Sequence, residues 1–353
     1  MIASIKKYNK YCLLCSQGRF DLFYYNGIIC VYDKTNRRVV SRHRIDNCYF
    51  FSFLSRLLRK KPRAAVALDN NTFIFSCHGK VYRLSIIESE LVIEHEFLKG
   101  MNNPLSFCTR YDKNGNIIDI LYGEYINNFS HEAVSVYRRF SNGWKNVYDF
   151  PAHTVKHIHN IIYDKYRNRY LIMTGDSDDE SGIWEADPDF NSVSPIVRGS
   201  QKYRACVLMP TKDGFFYVTD TPIEQNYVYH LDNDGNLTAI NEILGPCIFG
   251  IEKNDYLYFA TSVEGDSTLA TWKYIFSSKL GNGVKDRYSH LYRLSKNGEL
   301  EEIDKIEKDW LPMWLFEFGN IKFPSSNDNR VYICPQSLVK EGTYYVNLEN
   351  QAD

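Results

Sequence analysis

A phrase recurs along the chain and sets most of what it can fold into: a tyrosine, apolar residues, Leu-Ser or Leu-Asp, then an Asn-Gly or Asp-Gly turn. It falls at residues 229–235 and 292–298, and without its turn at 82–85. Short runs of alternating apolar and polar residues surround it, at 69–85, 212–240, 253–265 and 289–303. Alternation with period two places one set of side chains on a single face of a strand. Asn-Gly and Asp-Gly between such runs are hairpin turns. A strand-and-turn unit of roughly 40 to 50 residues, repeated in an all-β chain, predicts a β-propeller.

The units parse as residues 10–45, 60–98, 104–150, 155–198, 202–243, 246–304 and 312–348. Seven blades are preferred, with six if the first segment is not a blade. The first and last units are expected to cooperate in closure. No linker or composition break divides the chain, so residues 1–353 read as one domain. Two insertions interrupt the pattern. A short helix is predicted over Phe51 to Arg59, and a rim insertion runs from Thr271 to Asp286. Insertions of this kind shape sites at a rim.

Composition narrows the function classes. The 27 Tyr and 21 Phe suit half-buried strand surfaces. A formal net charge of −1 supplies no bulk field for nucleic acid or an anionic membrane. No apolar run approaches the roughly 18 residues of a spanning helix. The N-terminal segment lacks the pattern of a signal peptide, so the expected location is cytoplasmic, with the nine cysteines reduced. Cys12 and Cys15 have CxxC spacing but no second pair, and they read as part of a buried strand. No P-loop, GxGxxG, GxSxG or HExxH appears, so nucleotide-dependent transfer and serine hydrolysis have no motif support.

The chemistry-bearing residues cluster in the middle of the chain. His157 and His159 sit two apart on a predicted strand that opens a blade, so both leave the same face. A facing pair of imidazoles can act as acid and base or bind a divalent metal, with His153 as a third ligand if one is bound. The alternative is a structural pair tying loops together. Glu124, beside Gly123 at a strand end, is a candidate acid or base, the glycine allowing close backbone approach to a ligand. Arg204 starts the next inner strand and, with Arg56, Arg59 and Arg110, is a candidate receptor for carboxylate. Tyr203 is a candidate acid, base or nucleophile. Asp176, Asp220 and Glu264 each follow the second strand of a unit, always near a threonine. They form either an acidic rim that binds substrate or a repeated loop-capping turn.

Several of these elements carry a family resemblance. They are Gly123-Glu124-Tyr125, His157 and His159, Thr174-Gly175-Asp176, Gly182-Ile183-Trp184, Tyr203-Arg204 and Thr219 to Pro222. Together they resemble the sialidase-like propellers with Asp-box (BNR) repeats, including bacterial propellers linked to surface-polysaccharide gene clusters. Residues 177–184 look like a variant Asp-box, a fold element usually away from the site. The arginine triad and Tyr–Glu pair of true sialidases do not map onto this chain. Propeller polysaccharide lyases, using His, Tyr and Arg on uronate chains, are similar in architecture. The resemblance implies a carbohydrate-active lyase or glycosidase on an acidic oligosaccharide or polysaccharide. The alternative is a non-catalytic glycan-binding or scaffolding propeller.

Overall fold

The structure is a computed structural model describing residues 3–4, 11–45, 61–100, 104–266 and 277–348. The predicted helix at Phe51 to Arg59 lies outside these residues. The strands form seven sheets. Six of them take four sequential antiparallel strands in the order first, second, third, fourth, which is the blade of a β-propeller. The fourth blade, for example, is His157–Asp164, Arg169–Gly175, Gly182–Ala186 and Val193–Arg198. Six blades fall on the parsed units within a few residues, and the seventh does so except for its outer strand, Ala3–Ser4.

By contact density the chain divides into two compact units. Residues 11–199 with 324–328 carry the first four blades, and residues 200–323 with 329–353 and 1–10 carry the other three. In each unit a strand distant in sequence completes a sheet. In the first, Ser325–Ser326 adds in parallel to the inner strand Cys12–Gln17 of blade one. In the second, Ala3–Ser4 pairs with Tyr344–Asn347 at the outer edge of blade seven.

The fourth strand of a blade is its most exposed. In blade five Ala205–Thr211 is buried throughout, whereas Leu237–Ile243 is mostly exposed or half-buried. A strand covered on both faces reads as a continuous apolar run, and one with a wet face alternates.

The recurring tyrosine has a specific place. In six blades the register shifts between the third and fourth strands, at Val31/Tyr32, Val81/Tyr82, Val136/Tyr137, Ile183/Trp184, Val228/Tyr229 and Leu291/Tyr292. In four of them this aromatic stacks on its direct cross-strand partner: Tyr82 on Phe75, Tyr137 on Tyr122, Tyr229 on Tyr217 and Tyr292 on Phe259. Their ring centroids lie 5.1 to 5.4 Å apart. Each such pair contributes about 0.5–1.5 kcal/mol beyond area burial.

The threonines predicted near each loop are caps. Thr174 Oγ1 donates to the Glu180 carbonyl and accepts from Trp184 Nε1. Thr219 Oγ1 accepts from Tyr227 N, and Thr261 Oγ1 from His290 N, both at 2.9 Å. Each ties the end of a second strand to the start of the third. Trp184 is buried edge-on against Phe150, so residues 177–184 are a fold element. The Cys12–Cys15 spacing is likewise a strand, and burial pushes the Cys15 thiol up to about 11.

Candidate functional site

The two histidines are placed by a β-bulge. Strand His157–Asp164 pairs regularly at Ile158, skips His159, and resumes at Asn160. The same skip occurs at the start of the inner strands of blades one, five and six, at Leu14, Cys206 and Ile248. A bulge re-aims one side chain without ending the strand. Both rings are buried, yet His159 Nε2 lies 3.1 Å from His157 Nε2. Asp176 Oδ1, from the loop after the second strand, lies 3.3 Å from each of these nitrogens. Three donor atoms thus converge, one per residue.

The surroundings orient all three groups. His157 Nδ1 is 3.0 Å from the Ile126 carbonyl oxygen. A carbonyl only accepts, so Nδ1 carries a proton and Nε2 faces the cluster. Holding the outer ring nitrogen in this way is how proteins orient a metal-binding or basic imidazole. Tyr125 covers the His157 ring at a centroid distance of 4.3 Å. Lys156 Nζ donates to Asp176 Oδ2 at 2.8 Å, which turns Oδ1 towards the imidazoles. The histidines are 3 % exposed, whereas the Asp176 and Lys156 side chains retain 31 % and 25 %, so access is from their side.

Glu124 enters this site through its backbone, its carbonyl accepting from Ile158 N at 2.8 Å. Its buried carboxylate accepts from Ser135 N at 2.9 Å. Burial raises the Glu124 pKa, and Lys99 partly offsets this. The neighbouring Gly123 has a packing role. A Cβ there would lie 2.3 Å from Ile158 Cγ2, so the glycine admits the next blade. His153 sits in the preceding turn with its ring stacked on His131, and it is not among the converging donors.

One basic residue escaped the sequence reading. Arg63 Cζ lies 5.5 Å from the centroid of Tyr125, the ring covering His157. Arg63, Lys156 and Arg204 each stand one or two residues before an inner strand, in blades two, four and five. That shared position was the available signal. Arg56 and Arg59, chosen for this role from sequence, lie outside the described residues.

The second unit carries the remaining candidates. Arg204 caps the short 3-10 turn Gln201–Tyr203, and its guanidinium lies 3.8 Å from Asp220. Cys206 Sγ donates to Asp220 Oδ2 at 3.3 Å. Burial, with the Asp220 charge, holds the Cys206 thiol well above its ordinary value. Tyr203 is half-buried beneath Lys202 Nζ, 5.0 Å from its ring centroid. Glu264 is buried and accepts from Ser262 Oγ at 2.5 Å.

No protein-family model matches the chain, and no curated protein matches its sequence. Solved structures do match, and with the sheet order they define its class as a seven-bladed β-propeller. An oligogalacturonate lyase from Vibrio parahaemolyticus gives a TM-score of 0.61 at 10 % identity, covering 98 % of this chain and 93 % of that one. The Cps50 (Swd1) propeller domain of Myceliophteria thermophila gives 0.53 at 9 %, covering 95 % and 96 %. A chain of a mitotic checkpoint complex also gives 0.53 at 9 %, covering 96 % and 90 %. At such identities the likeness is one of fold. Among the described residues, no helix is long and apolar enough to cross a membrane.

Proposed function

We propose that the chain is a carbohydrate-acting propeller that cleaves an acidic glycan by β-elimination, with His157, His159 and Asp176 as its reacting centre. The observation that carries this is the convergence of two buried imidazole nitrogens on one carboxylate oxygen, with the ring of His157 oriented by the Ile126 carbonyl. The fold likeness to an oligogalacturonate lyase supports an acidic oligosaccharide as the substrate class.

Two nitrogens and one carboxylate oxygen suit a divalent transition ion. A bound cation would supply Lewis acidity towards the uronate carboxylate. The rest falls to the protein. Lys156 holds Asp176 in place, Tyr125 and Ile126 hold His157, and Arg63 offers positive charge to the substrate carboxylate. With no cation on its Nε2, His159 takes the proton α to that carboxylate. The C–O bond at the β-carbon then breaks, and a double bond forms between the two carbons. The leaving oxygen takes a proton from solvent.

The test is incubation with uronate oligosaccharides, with and without added divalent ions, following the ultraviolet absorbance of the new conjugated double bond. Wild type is expected to produce it, and His159→Ala and Asp176→Asn to lose it by a factor of at least about a hundred. The deep burial of both imidazoles favours one second reading, a propeller that binds glycan without cleaving it. Saturable oligosaccharide binding with no product under any metal would select that reading and reject the lyase.

A further inference from the structure

A second concave feature lies in the first unit, at the far end of blade three from the histidines. Strand Ile117–Gly123 meets the histidine strand at Gly123 and opens at Ile117 onto a cleft of about 570 Å³. Six residue steps at about 3.3 Å put the two ends about 20 Å apart. The cleft is lined by Arg110, Asp119, Arg138 and Arg139, with Ile118 and Phe140 among its apolar residues.

Its charges do not balance. Asp119 lies 3.2 Å from Arg110 Nη2 and from Arg138 Nε and accepts from the Tyr170 hydroxyl at 2.7 Å, while Arg138 Nη2 donates to the Pro188 carbonyl. Glu94 receives Arg139 at 2.5 and 3.2 Å, Arg83 at 3.5 Å and Trp144 Nε1 at 3.0 Å. Two carboxylates therefore face four guanidiniums. The exposed Glu88, 3.9 Å from Arg83, offsets only one. Lys145 adds a further cation over the Phe140 ring. Among the described residues, Asp119 is the one ion-pair partner of Arg110. The side chains of Arg110, Arg138 and Arg139 are 12 to 23 % exposed, so this excess is only partly screened. The whole chain carries a net charge of −1, so the excess is local. Beside it, Ile118 and Phe140 keep 52 % and 38 % of their surface in water.

We propose that this cleft binds a small oxyanion, a phosphate or carboxylate, borne on an apolar body that rests on Ile118 and Phe140. Guanidinium groups recognise both anions in bidentate fashion. The volume falls within the range of about 300–1,000 Å³ usual for small-ligand sites. The site is independent of the histidine cluster and of the activity proposed for it.

Isothermal titration with phenyl phosphate, benzoate and inorganic phosphate tests the assignment. Phenyl phosphate is expected to bind about tenfold more tightly than inorganic phosphate, from apolar area covered. Benzoate shows whether the shared oxyanion chemistry or phosphate alone is read. Arg110→Gln should weaken binding about tenfold. Since Arg110 also braces Asp119, a second variant leaves that network untouched. Ile118→Glu puts a carboxylate on the exposed lip and should abolish binding, with the urea midpoint unchanged. Absence of saturable binding by any of the three, or binding unaltered in Ile118→Glu, overturns the site. Equal affinity for inorganic and phenyl phosphate overturns the apolar body.

Discussion

Gly123→Ala tests the link between blade packing and the histidine site. Its backbone φ is not in the left-handed region, so alanine brings no strain of its own. The added methyl would, however, lie 2.3, 2.5 and 2.8 Å from three side-chain atoms of Ile158, where ordinary contact begins at 3.4 Å. Ile158 cannot simply retreat. It is 1 % exposed, and its amide is held 2.8 Å from the Glu124 carbonyl. Overpacking of this kind costs about 1–3 kcal/mol. The displaced residue lies between His157 and His159, so the strain moves the Nε2 atoms as well. Urea denaturation should show the loss of stability, and oligosaccharide or metal affinity should fall with it. Ile158→Ala alone should cost about 2–5 kcal/mol by leaving a cavity. The double variant should be more stable than the sum of the two singles, by a coupling of about 1–2 kcal/mol. A Gly123→Ala protein with wild-type urea midpoint, or strictly additive singles, would refute the reasoning.

Three further outcomes follow from the same geometry. Because burial raises the Glu124 pKa, its ionised form costs stability. That stability is whole below the usual carboxylate range and is lost as pH rises through the raised value. Glu124→Gln keeps an acceptor for Ser135 N, so its urea midpoint at neutral pH should equal or exceed wild type and vary less with pH. Trp184→Phe removes the indole donor to Thr174 while keeping an aromatic ring against Phe150, and should cost about 0.5–1.5 kcal/mol in chemical denaturation. Among the described cysteines, Cys12 is half-buried, while burial pushes Cys15 to about 11 and Cys108 to about 12. Alkylation of the native protein at mildly alkaline pH, mapped by mass spectrometry, should therefore label Cys12 before either of them.

The blades were legible because their repeat has a physical cause. The tyrosine that marks residues 82–85, 229–235 and 292–298 is a third-strand residue set beside a bulge in the fourth strand and stacked on an aromatic directly opposite. Spacing and residue type both survive in such a pair, so the pattern shows in the linear chain. His157 and His159 were legible as a pair. Period two alone put them on one face, but the structure adds a bulge at His159. Asp176 was chosen as a rim acid, and its place between the imidazoles depends on a loop that no periodicity describes. Gly123 was read as an opening for ligand because its true neighbour, Ile158, is distant in sequence. Arg63 was passed over because its signal is positional, a basic residue just ahead of an inner strand. Ile126 contributes through its carbonyl, which no side-chain pattern reveals.

The threonine caps also bear on how such a chain diversifies. Thr174 and Thr219 close the short connections 176–181 and 220–225, and Thr261 closes the much longer 262–287 by the bond that Thr219 makes, accepting from a backbone N–H of the incoming strand. Each doubling of loop length costs only about 0.6 kcal/mol in closure entropy. The strands on either side are already fastened, so the cap acts as a socket. Whatever stretch of chain is spliced between its two contacts, the blade beneath keeps its register. New recognition loops can thus be fitted at these positions one blade at a time, without renegotiating the scaffold.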